Sequence, residues 1–98
     1  MIELREYPAA SHLLSGRRAV ITAAAGTGIG FATARRFVEE GASVVVSDRH
    51  ERRLGEAADR LRSRVTGEGT VHAIACDVTR VEDVDRLYAE SCLSLIHI

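Results

Sequence analysis

The sequence contains no lysine: all thirteen basic side chains are arginine, set against fourteen acidic ones for a formal net charge of −1. Without a large positive surplus, the chain lacks the electrostatic footprint of a nucleic-acid or anionic-membrane binder. It has no tryptophan, one proline (Pro8), and only two cysteines, Cys76 and Cys92. Two cysteines are too few for a disulfide scaffold, so a reducing cytoplasm is the expected compartment. No apolar run approaches the ~20 residues that span a bilayer, and the first residues lack the basic-then-apolar order of a signal peptide. What remains is 98 residues, 46% apolar and 28% charged, the composition of one small globular domain or part of a larger one.

Residues 1–15 read as a polar leader without periodicity. Ala19-Val20-Ile21-Thr22-Ala23 is a short apolar run with β-branched members and reads as a buried strand. A glycine-rich turn, Gly26-Thr27-Gly28-Ile29-Gly30, leads into a helix that Gly41 stops. Ile29, Ala32, Thr33, Arg36 and Phe37 share one side of that helix at helical spacing. Arg35-Arg36 is expected on a solvated face. Ser43-Val44-Val45-Val46-Ser47 is apolar at consecutive positions, as a parallel strand covered on both faces should be. Asp48 ends it and, with Glu51, has the spacing of a capping box for the next helix. In that helix Leu54, Ala57, Ala58, Leu61 and Val65 form the apolar stripe. Thr70 to Ala75 reads as a third strand, and Thr79 with Glu82 as a second capping box. Strict alternation of strand and helix predicts an α/β fold: a parallel, Rossmann-type, doubly wound sheet represented by its three-strand 3-2-1 half. The first strand is then a sheet edge beside the glycine turn, and the 98 residues alone are expected to be marginally stable or aggregation-prone.

A strand feeding a glycine turn and then a helix gathers free backbone N–H groups at the positive end of the helix dipole, which suits a phosphate or pyrophosphate. Glycine is needed there because a Cβ would block close approach or forbid a positive φ. The G-x-G-x-x-G pattern beginning at Gly26 fails, since Phe31 stands at its last position. The alternative G-x-x-x-G-x-G ends correctly on Gly28 and Gly30 but has Ala24 where its first glycine would stand. Alanine there costs roughly 1–2 kcal/mol if its φ is positive and nothing if it is not. Asp48 lies eighteen residues after Gly30. At the end of a second strand, a carboxylate can accept hydrogen bonds from ribose hydroxyls and would repel a 2′-phosphate, favouring NAD over NADP. Arg49 is the counterweight, a guanidinium able to pair with that phosphate. His72 and Cys76 lack the further ligands that a metal site needs.

Residues Leu14 to Gly30, then Ser47-Asp48, then Cys76-Asp77-Val78, resemble the short-chain dehydrogenase/reductase family over about residues 13–90. The resemblance implies the cofactor-binding half of that fold. Gly28 and Gly30 would line the pyrophosphate with Ile29 between them, Asp48 would meet the ribose hydroxyls with Arg49 beside it, and Asp77 the adenine edge. Ala24, which departs from the family glycine, Gly26, Thr27 and Val78 complete the implied cofactor-binding set. The variant loop Thr22 to Gly30 and the segment Asp48 to Glu56 look like an actinobacterial branch acting on acyl-CoA intermediates of steroid ring breakdown. The implied activity is hydride transfer between nicotinamide and an alcohol or carbonyl of a small-molecule substrate, in a protein that is often a homo-oligomer. Its proton carrier is a tyrosine whose pKa a nearby lysine lowers, in a Tyr-x-x-x-Lys helix. Tyr7 is followed four residues on by Ser11 and Tyr88 by Cys92, so neither tyrosine fits, and catalytic residues are expected outside this chain.

Two other functions fit the same loop. A methyltransferase holds S-adenosylmethionine on G-x-G-x-G, usually with an acid two residues before the first glycine, where this chain has Ala24. A non-catalytic module could bind a dinucleotide as a sensor. Finally, Leu93-Ser94-Leu95-Ile96-His97-Ile98 departs from the preceding alanine- and arginine-rich composition. It equals the translation of CTGTCTCTTATACACATC, the end sequence of transposase-based sequencing libraries. We therefore expect the domain to occupy residues 16–92 and residues 93–98 to be translated adapter, the alternative being a genuine apolar tail.

Overall fold

The computed structural model describes residues 9–26 and 28–96. Six elements alternate: β1 Arg18–Ile21, α1 Ile29–Glu39, β2 Ser43–Asp48, α2 Glu51–Arg62, β3 Val71–Ala75 and α3 Val81–Ile96. The strands form one parallel sheet in the order β1-β2-β3, with Ala19 opposite Val44 and Val45 opposite His72. This is the doubly wound architecture that the alternation predicted.

Strand β2 is central because it is apolar on both sides. Val44, Val45 and Val46 are all fully buried. Successive side chains of a strand turn to opposite faces. Val44 and Val46 join Ala34 and Val38 of α1 and Leu54, Ala58 and Leu61 of α2 on one face. Val45 joins Cys76 and Leu87 on the other, beneath α3. Each buried valine stabilises the fold by roughly 1.5–3 kcal/mol. Strand β1, by contrast, is an edge, and its residues alternate between exposed and half-buried.

Several local expectations need correction. Strand β1 stops at Ile21, because Ala23 takes φ +54° and leaves the extended region. Helix α1 buries Ala34 and Val38, and of the residues expected on one side Phe37 packs against the core, whereas Ile29 is 87% exposed and Ala32 is exposed. Arg35 and Arg36 are not simply solvated. Arg35 pairs with Glu39 at 3.2 Å and Arg36 with Glu40 at 3.0 Å. Both expected capping boxes are absent. Asp48 is still within β2, and its Oδ1 accepts the His50 N–H at 3.0 Å in an Asx-type turn. His50 is the N-cap of α2 and makes no side-chain cap bond. Thr79 spends its hydroxyl as a donor to Asp77 Oδ1, at 2.6 Å, rather than capping α3. Val65 lies beyond α2 but still packs against the core.

The end of α1 anchors the described part of the leader. Glu40 is buried, and its carboxylate accepts the Ser11 N–H at 2.6 Å and an Arg36 N–H at 3.0 Å. Its carbonyl accepts the Leu14 N–H. The Ser11 N–H above all, with Arg36, holds the Glu40 carboxyl below its ordinary pKa. Gly41 is required here: at φ +94°, a Cβ would stand 2.8 Å from Ser15 Oγ. At the other end, α3 continues through Ile96 without a break where the composition changes at Leu93. Extending an existing helix gains one backbone bond per residue fixed, so leucine and isoleucine propagate it readily. Residues 1–8, Thr27, His97 and Ile98 lie outside the described residues.

Candidate functional site

The site sits at the carboxyl ends of the strands, where β1, β2 and β3 each release a loop. After β1 the chain turns at Ala23, and Ala24 and Ala25 sink into the core. The Ala24 N–H donates to Ser47 O at 3.1 Å, continuing the β1–β2 contact beyond the strand. The Ala25 N–H donates to Asp48 Oδ2 at 3.4 Å. One carboxylate thus receives N–H groups from two loops, Ala25 from the first and His50 from the second.

Gly28 is the N-cap of α1, at φ −87° and ψ −165°, with no side chain to cap the helix. A Cβ added to it would meet nothing within 4 Å, so its missing side chain leaves open space at the helix N-terminus. Gly30 is constrained in the opposite way. A Cβ there would lie 2.5 Å from Ala23 O and 3.0 Å from Thr22 O, so only glycine lets α1 begin against the turn. The left-handed residue is therefore Ala23, not Ala24, and the anticipated alanine penalty falls one position earlier. Nothing in the pattern G-x-x-x-G-x-G identified Ala23.

A cleft of about 370 Å³ brings together Thr22, Ala23, Ser47, Asp48, Arg49, Cys76, Asp77 and Val78. Of the expected positions, Asp48, Arg49, Asp77 and Val78 share it. Gly26, Gly28, Ile29 and Gly30 form the adjoining loop and helix start, outside the cleft lining. Ala24 is buried behind them, and Thr27 falls outside the described residues. Asp77 Oδ1 accepts both the hydroxyl and the N–H of Thr79. The Thr79 hydroxyl foremost, then its N–H and the Arg49 and Arg80 charges, lower the Asp77 pKa and keep its carboxylate ionised. Val78 is 61% exposed. Ser47 was not anticipated as a lining residue. It is 1% exposed, and its Oγ has no hydrogen-bond partner among the described residues. No group of three or more His, Cys, Asp or Glu side chains suited to a metal ion occurs among the described residues. No described helix is long and apolar enough to cross a membrane.

Residues 17–95 match the family model described as short chain dehydrogenase. Over 75 residues the chain is 59% identical to (5R,7aS)-5-hydroxy-7a-methyl-1-oxo-2,3,5,6,7,7a-hexahydro-1H-indene-carboxyl-CoA reductase of Mycobacterium tuberculosis, covering 76% of this chain and 28% of that protein. A short chain dehydrogenase from Mycobacterium smegmatis superposes with a TM-score of 0.86 at 48% identity, over 95% of this chain and 38% of the other. An NAD+-bound xylitol dehydrogenase superposes with a TM-score of 0.77 at 28% identity, over 85% and 30% of the two chains. The chain therefore spans less than a third of the curated relative's length.

Proposed function

Because the chain belongs to the short-chain dehydrogenase family, we propose that it forms the dinucleotide-holding part of an oxidoreductase acting on an alcohol or carbonyl substrate. Family membership sets the methyltransferase reading aside. The observation that carries the proposal is the Asp48 carboxylate, tied by Ala25 to the glycine loop and lining one cleft with Asp77 and Val78. The open space at Gly28 suits a diphosphate, which can approach the helix N-terminus where a Cβ would otherwise stand.

When bound, a nicotinamide dinucleotide supplies the hydride donor or acceptor. This chain's own residues bind and orient it. Backbone N–H groups at the start of α1 face the diphosphate, with the helix dipole adding positive charge. Asp48 accepts from the adenosine ribose hydroxyls, while Asp77 and Val78 border the adenine. The same Asp48 charge repels a 2′-phosphate, so NAD is the preferred form, and Arg49 leaves NADP as the weaker ligand. Similarity to the mycobacterial CoA reductase supports a hydroxyacyl- or oxoacyl-thioester as the substrate class. The second reading is a module that binds the same dinucleotide as a sensor, without turnover.

Titration with NADH, NADPH and S-adenosylmethionine, followed by nicotinamide fluorescence, tests the site. NADH is expected to bind more tightly than NADPH, Asp48→Ala to weaken NADH at least about tenfold, and Arg49→Ala to weaken NADPH selectively. NADH affinity indifferent to Asp48→Ala, or displacement of NADH by S-adenosylmethionine, would refute the assignment. In a protein of the relatives' full length that carries these residues, a Tyr-x-x-x-Lys helix with thioester turnover supports the enzyme, and dinucleotide binding without turnover supports the sensor.

A further inference from the structure

Strand β3 pairs with β2 on one side and, among the described residues, with no strand on the other, and that outer edge is finished in a particular way. Thr70 O accepts the Val44 N–H and so faces β2. A strand's period of two then turns the N–H and C=O of Val71, Ala73 and Ala75 outward. Arg62, at the end of α2, donates to Val71 O from Nε at 3.3 Å and from Nη2 at 3.1 Å. Arg86, on α3, donates from Nη2 to Ala75 O at 2.8 Å. The two guanidinium groups reach the edge from helices on opposite faces of the sheet. Each is steered by a carboxylate three residues earlier on its own helix: Asp59 lies 3.0 Å from Arg62, and Asp83 lies 4.0 Å from Arg86. A groove of about 440 Å³, lined by Arg62, His72, Ala73, Ile74, Glu90 and Leu93, runs along the edge.

We propose that Arg62 and Arg86 close the β3 edge against pairing with a second copy of this chain. Such pairing needs a row of free outward carbonyls. Two of the three here are already taken by charged donors, so Ala73 is the one outward residue with its carbonyl open, and the N–H groups of Val71 and Ala75 without their carbonyls make no ladder. Charged groups placed on an edge strand are a general means of blocking edge-to-edge association. The excluded partner is another β3, because an isologous contact presents the same patch on both sides, and antiparallel pairing centred on Ala73 satisfies that symmetry. Asp59 and Asp83 act as positioning residues that hold the guanidinium groups in place.

Sedimentation velocity and amide hydrogen exchange on the 98-residue chain and on Arg62→Met/Arg86→Met test this, methionine keeping an apolar stem without donors. The double variant is expected to self-associate at least about tenfold more strongly, with slower exchange at Val71, Ala73 and Ala75. Adding Ala73→Lys at the exposed centre of the edge is expected to restore the original sedimentation. The two single variants repeat the comparison if the double variant loses its helical signal. Unchanged sedimentation overturns the proposal. So does association that slows exchange at residues 18–21 instead, or that the added lysine fails to reverse.

Discussion

Gly30→Ala is the sharpest test of how the glycine loop is built. The new Cβ would lie 2.5 Å from Ala23 O, 3.0 Å from Ala23 C and 3.0 Å from Thr22 O, all of them backbone atoms. None can rotate away, so either the Ala23 turn or the start of α1 must move. Replacing glycine by alanine within a helix gains up to about 1 kcal/mol of propensity. Forcing a group into a packed site costs typically about 1–3 kcal/mol, and contact with rigid backbone belongs at the upper end. The net expectation is a loss of about 2 kcal/mol, which in a domain of this size lowers Tm by roughly 8–16 °C. Denaturant unfolding followed by circular dichroism measures it as a lower midpoint at unchanged slope. Gly28→Ala is the internal control. Its Cβ meets nothing within 4 Å and its φ is −87°, so stability should hold, while the occupied space should cost the dinucleotide its affinity. A Gly30→Ala variant as stable as the parent would show that the turn yields freely, and the case for a rigid loop would fail.

Three other substitutions address single features. Ala23→Gly should raise stability by about 1 kcal/mol, since glycine takes φ +54° without the Cβ penalty; a measured loss in thermal melts would count against strain at Ala23. Ser47→Ala should gain about 1 kcal/mol by removing a buried hydroxyl with no partner among the described residues; a loss in the same melts would reveal a partner. Glu40→Gln should flatten the acid limb of the stability profile. The folded pKa of Glu40 is lowered, so its contribution is complete above the unfolded value and disappears as pH falls through the folded one. Equal acid dependence of parent and variant, read by unfolding midpoints between neutral pH and pH 3, would remove Glu40 from the account.

The alternation of strands and helices was legible because the signals were redundant. Val44 to Val46 are apolar without a gap, and the stripe from Leu54 to Leu61 repeats at helical spacing. The place of Asp48 was legible too, because it closes the apolar run of β2 and so falls at the strand end that lines the cleft. The local details were not. The capping-box spacings at Asp48 and Thr79 are equally compatible with short Asx turns, and the competition is decided by where the strand ends, which spacing does not encode. The face of α1 was legible only in part: Phe37 packs against the core, but Ile29 outweighs Ala34 in any hydrophobic count, and it is Ala34 that is buried and Ile29 that is exposed. The arginines at β3 gave no sign in one dimension, since the carbonyls they reach belong to residues 9 and 11 positions away.

The two faces of the sheet are buried unequally. One is packed by both α1 and α2, whereas among the described residues the buried cluster beneath α3 is Val45, Cys76 and Leu87, with Ile74 packed against it. So slender an attachment makes α3 the segment that lifts away first in a sub-global opening, well before the remaining layers separate. Thiol-reactive dyes would register the event as two phases: Cys92, exposed on α3, reacts at once, and Cys76 only as often as its lid opens.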